Sequence, residues 1–553
     1  MDPAGGPQTI IRSRKFQFTM AGRKSKGKQS VVIHQCADTA ESPTSQWKPG
    51  TKGWLILGCL TELSLIIALD ATIMIPVLPT IASSLRGSTT ATFWVGSSYL
   101  LTSAIFQPFI VALSDEFGRR SALFSCAVLF TLGTLIGGLS TEFPQLLAGR
   151  TIQGVGGGGI LALNNVIISD IVPLDRRPLY LAVPQLSWAV GTITGPLFGG
   201  LFVQHSTWRW AFYINFPFCA VGLAIIPWTA RSPAQSPAHR GRLSDRLRRM
   251  DWTGMSLFTM GTTFLLAALT WGGVEYAWSS WQTLVPGVLG AVVLPLTILY
   301  ERFVACRPFL RLSLFGSLSA NAAYFCSLIL GLLLFCTLYY VPLYFEAVKH
   351  LGPVKTGLSL IPATATLVPV SIVTGAVMRR IGRFRWAIWS GWLITIPATG
   401  LLLLLDTDTS TTTWVPVLIS VGVGYGFLLM SLNYCVQTMA AVEDATAAAA
   451  MYTFVRSCGI CLGVSLGGVI FQNRLVFRLR EMHLSTEIAS DAMSLVHTLG
   501  SHDREMVAPA LLHAFHDVCK FMLGVAVVGG TLSALIQSAP VKSQPERKAS
   551  TKS

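Results

Sequence analysis

Apolar residues along this chain come in repeated blocks near 20 residues long, separated by short stretches rich in Gly, Pro, Arg and Asp. A helix needs about 20 apolar residues to cross a ~30 Å hydrocarbon core, so each block predicts a membrane-spanning helix. Fourteen spans are expected, near 53–75, 94–113, 121–139, 146–168, 180–203, 211–229, 254–271, 281–300, 321–344, 356–378, 386–405, 414–435, 447–471 and 514–537. An even number places both termini on one side. The expected fold class is all-α and integral to the membrane.

Composition agrees, with 52% hydrophobic and only 12% charged residues, where soluble proteins carry about 25% charge. A net charge of +15 would suit nucleic acid if it were gathered in one domain. Instead, 30 of the 41 Lys and Arg lie before the first span, after the last, or in every second connection, against eight on the opposite side and three within spans. This is the positive-inside bias; it predicts cytoplasmic termini and no nucleic-acid partner. No short apolar region with a small-residue cleavage site precedes the first span, so that span is expected to serve as a signal anchor. Most of the eleven Cys lie in or beside spans, among them Cys126, Cys219, Cys326 and Cys336, and read as packing residues rather than a disulfide framework.

Polar stretches suggest the domain plan. Residues 1–52 are expected to be a disordered basic cytoplasmic tail, 53–229 an N-terminal six-helix bundle, and 230–252, with Pro233, Pro237, Arg240, Arg242, Arg246, Arg248 and Arg249, a cytoplasmic linker. Two additional helices and a connection fill 253–320, a C-terminal six-helix bundle 321–537, and a second cytoplasmic tail 538–553. The stretch 111–120, with Asp115, Gly118, Arg119 and Arg120, aligns without gaps with 375–384. Such a same-orientation echo is what two parallel six-helix bundles leave, as in many secondary transporters.

Ionisable residues inside spans cost roughly 2.5–3.5 kcal/mol each and persist mainly for function. Four stand out: Glu62, Asp70, Arg150 and Arg456. Glu62 and Asp70, eight residues apart, fall on neighbouring parts of one helix face. A carboxyl shielded from water holds its proton more tightly, which suits a group that takes and releases protons as a cavity faces each side in turn. The alternatives are that Asp70 caps a turn before Pro76 and Pro79 and that Glu62 reaches a nearby Ser or Arg. Arg150, ahead of Gly156 to Gly159, is expected to pair with an acid; Arg456 is a comparable candidate, or a packing salt bridge. In the fifth span Gly191, Gly195, Gly199 and Gly200 with Pro196 predict a hinge or a tight seal between helices of the two halves.

Three apparent motifs are set aside. Gly154 to Gly159 satisfies GxGxxG but follows no strand. Gly22 to Lys28 approaches a phosphate loop, but Gln29 replaces its Ser or Thr, so no ATP is expected. Gly422-Val-Gly424-Tyr-Gly426 lies in a full-length span rather than a re-entrant loop. No nucleophile or His cluster marks an enzyme, and no metal or cofactor is expected.

Taken together the motifs resemble the major facilitator superfamily, in particular its fourteen-helix drug:proton antiporter group, which includes fungal toxin and drug efflux pumps. Leu69-Asp70-Ala-Thr72-Ile-Met-Ile-Pro76-Val-Leu-Pro79 is similar to that group's first-helix signature, Asp115-Glu-Phe-Gly118-Arg119-Arg120 to the loop after helix two, and Arg150 with Gln153 and Gly154 to a fourth-helix motif tied to proton transfer. Gly191 to Gly200 resembles the antiporter motif of exporters. Weaker matches are Trp208 to Pro217, Asp251-Trp252-Thr-Gly254 and Pro342-Leu-Tyr344-Phe345.

The resemblance implies two six-helix bundles plus two extra helices, and proton-coupled efflux of a small organic molecule such as a toxin, secondary metabolite or drug. It implies proton coupling at Asp70 and Arg150, to which burial alone adds Glu62. Gating and conformational roles are expected for Asp115, Gly118, Arg119, Arg120, Gly191, Gly195, Pro196, Gly199, Gly200 and Arg456. Val111 departs from the Gly that usually opens the loop motif, and Arg379 replaces the acid matching Asp115 in the second half. Polar and aromatic residues on helices prone to face a cavity, Asn164, Asn165, Gln185, Trp188, Asn321, Tyr324 and Asn433, are expected to contact the substrate. The expected setting is a monomer in the plasma membrane, with the vacuolar membrane open. Rival readings are an uptake symporter or vacuolar carrier on the same fold, and a transport-inactive membrane receptor.

Overall fold

The computed structural model describes residues 50–85, 89–173, 176–229, 243–273, 276–306, 308–482 and 501–537. Nearly all of the expected tail at 1–52, the linker stretch 230–242 and the tail at 538–553 lie outside the described residues.

Among the described residues thirteen helices are long and apolar enough to cross a membrane, and a bent pair makes fourteen when it is counted as one span. Among the described residues the only β feature is an isolated bridge between Gly272 and Tyr276. In the first bundle the helices are α1 (Thr51–Ser84), α2 (Thr89–Ile105), α3 (Gln107–Phe117), α4 (Arg119–Gly138), α5 (Phe143–Ile171), α6 (Arg177–His205), the short α7 (Trp210–Tyr213) and α8 (Asn215–Thr229). After α9 (Leu243–Arg249) come the two additional helices, α10 (Trp252–Trp271) and α11 (Trp281–Phe303). The second bundle comprises α12 (Leu318–Ala347), α13 (Pro353–Ser359), α14 (Ile361–Ile381), α15 (Arg385–Leu401), α16 (Thr411–Met439), α17 (Ala445–Glu481) and α18 (Ser501–Ser533). The face where α1 begins is called the near face below.

Two elements differ from the hydropathy reading. The second span is not one straight helix over 94–113, because α2 and α3 meet at a 44° bend. Pro108, in the first turn of α3, has no N–H to continue the α2 ladder. The polar loop expected at 472–513 is also shorter, since α17 runs on to Glu481 and α18 starts at Ser501. Between α3 and α4 the chain turns at Gly118 with φ 92°, a left-handed conformation that a side chain would strain.

Glycines bring the helix backbones together. In α6, Gly191, Gly195 and Gly199 lie on the α1 backbone around Leu65, Leu69 and Ile73, with no room for a Cβ. Their face is turned to α1, inside the same bundle, so these glycines do not form the seal between the two halves that was one of the two expectations; Pro196 and Leu197 of this motif meet the second bundle, at Gly357. Gly331, Gly459 and Gly463 close α12 onto α17 in the same way. The additional pair stands beside the seam and touches both bundles, through Phe109 on Trp252 and Phe258 on Phe454. Its outer member, α11, presents Val285, Val288, Val292 and Leu296 outward, as a helix bathed in lipid does.

Candidate functional site

The centre of the first bundle holds a charged cluster in an otherwise apolar interior. Asp70 sits mid-way along α1, which continues unbroken past Pro76, so it is not a turn cap. Its Oδ2 accepts a hydrogen bond from Arg150 Nη1 at 2.7 Å, and Oδ1 accepts from Gln153 Nε2 and Asn215 Nδ2, each at 2.8 Å. Arg150 is anchored further. Its Nε donates to the Val95 carbonyl at 3.0 Å, Nη1 also reaches Gln153 Oε1, and the guanidinium lies 4.4 Å from the Tyr99 ring centroid. Gln153 completes the ring by donating to Thr134 Oγ1 at 2.9 Å. Asp70, Gln153 and Asn215 are 0% exposed and Arg150 1%.

Five helices thus converge on one carboxylate. Residues 150 and 153 share a face of α5 by their i, i+3 spacing. The glycines of α5 let it close on its neighbours: Gly156 abuts the α4 backbone at Cys126 and Phe130, while Gly154 and Gly158 abut α2 at Tyr99 and Ser103. Gln153, Asn215, Tyr99 and Thr134 were not among the expected site residues. Gln153 and Asn215 lay inside the quoted motifs, and a polar amide in an apolar span is itself the signal that was available.

Glu62 is held elsewhere. It is half-buried, and its carboxylate lies against Gly222 of α8 with neither oxygen hydrogen-bonded. Eight residues of helix set it about 12 Å along the axis from Asp70. Of the three expected proton-coupling residues, the structure brings Asp70 and Arg150 together and leaves Glu62 apart.

At the near face Arg119 Nη1 pairs with Asp115 at 2.6 Å, and its Nε with Asp170 of α5 at 3.0 Å. Asp170 is the acid that reaches across, accepting from Thr446 of α17 at 3.0 Å. Asp115 is tied within its own loop, and Arg120 follows half-buried in the first turn of α4. Asp115, Arg119, Asp170, Thr446 and Arg311 border a cavity of about 200 Å3. Beside it, burial works to raise the pKa of Asp444, but hydrogen bonds from Arg311 and Ser313, and the Arg311 charge, outweigh that and hold the carboxyl below its ordinary value.

Deeper in the seam, side chains of the two bundles interlock. Gln107 donates to Ser457 at 2.8 Å, Asn165 to Thr453 at 2.9 Å, and Arg177 to Gln437 at 2.9 Å; Gln437 in turn donates to Asn433 at 2.8 Å. Toward the opposite face the meeting surfaces are Gly357 on Pro196 and the Tyr339 hydroxyl on Gly96. Between these levels Asn164, Asn165, Gln185, Trp188 and Arg456 line a cavity of about 30 Å3. Arg456, expected as a gating residue, therefore joins four of the residues expected to contact substrate. Asn433 stands behind Asn165 in the seam. Asn321 and Tyr324 are not brought to this cavity: Asn321 is exposed in the first turn of α12, bonded to the Phe315 carbonyl, and Tyr324 packs on the Phe315 ring at 5.3 Å. Their position at the near-face end of α12 is too far along the helix axis.

The family model described as the Major Facilitator Superfamily matches residues 63–464. The chain belongs to the major facilitator superfamily. Within that superfamily it is 38% identical over 499 residues to MFS transporter L2 of a Phoma species, covering 89% of this chain and 83% of that protein. It is 32% identical over 439 residues to the MFS-type efflux pump LUC4 of a Fusarium species, covering 79% and 77%. In fold it is similar to the proton:xylose symporter XylE, with a TM-score of 0.55 at 14% identity over 89% of this chain and 97% of that one. This major facilitator protein is a multi-pass membrane transporter of small molecules and not an enzyme.

Proposed function

We propose that this transporter exports a small organic molecule from the cytoplasm in exchange for protons. The observation that carries the reading is the fully buried Asp70 and Arg150 pair with its amide supports. A proton on Asp70 cancels the charge that Arg150 pairs with, so loading and unloading switches the cluster between a bound and a released arrangement of α1, α5 and α8. Both residues are sealed from water in this conformation, so a proton reaches Asp70 only when the bundles rock open. Alternating access of that kind, with the two bundles moving about the seam and the 30 Å3 cavity widening between them, delivers proton and substrate to opposite sides. A cavity for a drug-sized molecule needs about 300 Å3 or more.

Export rather than uptake is favoured by the Gly-rich α6 and by relatives named as efflux pumps. The charge bias favours cytoplasmic termini and a 230–252 linker on the same side. The plasma membrane is the preferred location, with a toxin, drug or secondary metabolite as cargo. Asp70→Asn keeps the size and the hydrogen bonds to Gln153 and Asn215 but cannot cycle a proton. It is expected to fold and to lose efflux driven by an imposed pH gradient in sealed vesicles; full efflux in this variant overturns the coupling role. Flux in the opposite direction in the same vesicles would instead establish the uptake reading.

A further inference from the structure

Two arginines lie deep among the spans, and their surroundings differ. Arg150 has a carboxylate, an amide and a carbonyl on its guanidinium. Arg456 is only 9% exposed, yet its Nε has no hydrogen-bond partner and it makes no ion pair among the described residues. Its guanidinium lies 5.6 Å from the Tyr452 ring centroid and interacts with the Tyr452 side chain, a neutral group that supplies no counter-charge. The position is fixed firmly, because Gly331 of α12 abuts the Arg456 carbonyl and Gly459, three residues on, abuts Leu328. Arg456 is the second bundle's contribution to a cavity otherwise lined by α1, α5 and α6.

That cavity has no carboxylate among its lining residues. A second polar atom there lacks a partner: Asn164 is 6% exposed, its amide nitrogen donates to Ser64 and the Leu60 carbonyl, and its Oδ1 accepts nothing. Trp188 of α6, whose ring centroid lies 6.2 Å from that of Phe335, adds an aromatic surface to the lining. A buried guanidinium without a counter-charge is costly, and an anion that enters the same low-dielectric space relieves that cost. An unpartnered amide oxygen beside it asks for an N–H or O–H donor.

Deepening the export reading and resting on it for the claim of transport, we propose that the central cavity selects organic anions. An acidic group of the cargo pairs with Arg456, a donor on the same molecule bonds to Asn164 Oδ1, and its apolar body lies against Trp188. Because the cavity stands in the seam, the ligand would then be held by both bundles at once. The anion also supplies the counter-charge that the lining residues do not.

The test uses the purified full-length protein in detergent and matched probes that differ only in charge: indole-3-acetate against indole-3-acetamide, and 1-naphthaleneacetate against its amide. With wild type, each acid at millimolar concentration is expected to raise the melting temperature by about 2 °C or more, and each amide by less. Arg456→Gln should abolish the preference for the acids, and Arg456→Lys should retain part of it. Without probe, Arg456→Gln should melt no lower than wild type, since the change removes a buried cation that has no counter-charge and leaves an amide within reach of Tyr452; this separates a lost ligand contact from a lost fold. Equal shifts from acid and amide, including no shift from either, overturn the proposal, and so does an acid preference that survives Arg456→Gln. An acid preference without proton-driven efflux removes the export reading and leaves the anion site standing. Proton-driven efflux without an acid preference does the reverse.

Discussion

In the first bundle a carboxylate is buried against an arginine and tied to two side-chain amides, whereas at comparable depth the second bundle is held by neutral pairs. There Thr337 and Tyr425 share a hydrogen bond of 2.9 Å, Tyr340 donates to the Val464 carbonyl at 2.9 Å, and Tyr452 donates to the Leu429 carbonyl at 3.0 Å. Neutral hydroxyls keep their charge state across physiological pH, so a proton gradient has nothing to act on in them. A buried ion pair is the opposite case, because one proton changes the balance of the whole cluster. The second copy of the internal echo fits this division, with Arg379 standing where the first has Asp115. On the proposed reading, one bundle would respond to protons and the other would serve as the surface it moves against.

The widest gap between the two should open on removing Arg150. Arg150→Ala leaves Asp70 buried without its cation and is expected to cost about 3–5 kcal/mol, read as a lowered melting temperature in detergent. Adding Asp70→Asn to that variant should recover part of the loss, because no uncompensated charge remains. Strict additivity of the two single changes would break the comparison. In the second bundle Tyr425→Phe removes one neutral hydrogen bond and should cost about 1 kcal/mol without altering the pH dependence of transport. A shifted pH profile in that variant would place proton response in both bundles.

The smallest effect belongs to the exposed pair at the near face. Because the Asp444 carboxyl is held below its ordinary value, its contribution is complete above the ordinary carboxylate range and disappears as pH falls through the lowered one. The pair is solvent-screened, so Arg311→Ala should cost no more than about 1 kcal/mol at neutral pH. The melting difference between Arg311→Ala and wild type should shrink toward zero on acidification, and a difference that grows instead would contradict the sign.

Much of the fold was legible because lipid imposes a length and an apolar composition on every span. The bend at residue 106 was not, since Leu100, Leu101 and Ile105 on one side and Phe109, Ile110 and Val111 on the other read as one apolar block. Asp70 and Arg150 announced themselves as charges within such blocks. Their pairing did not follow from spacing, for they are 80 residues apart; the sequence said only that Arg150 should pair with an acid, not which one. Asn215 was quoted for its motif, but nothing in one sequence says that α8 turns it toward Asp70. The same limit explains Asn321 and Tyr324. A helix that is apolar nearly all round has no polar face to reveal its rotation, so depth and orientation had to come from the packing of glycines.

The interlocked seam carries a thermodynamic consequence for affinity. Gln107 with Ser457, Asn165 with Thr453 and Arg177 with Gln437 stabilise the form in which the central cavity is contracted. On the proposed alternating-access reading, cargo binds only the fraction of molecules in which those bonds are open, and its apparent dissociation constant is the intrinsic one divided by that fraction. The seam would therefore act as a dial on potency: changes at Gln107 with Ser457 or Arg177 with Gln437, which do not line the cavity, should weaken or strengthen binding of every compound by the same factor and leave the order of preference among compounds untouched.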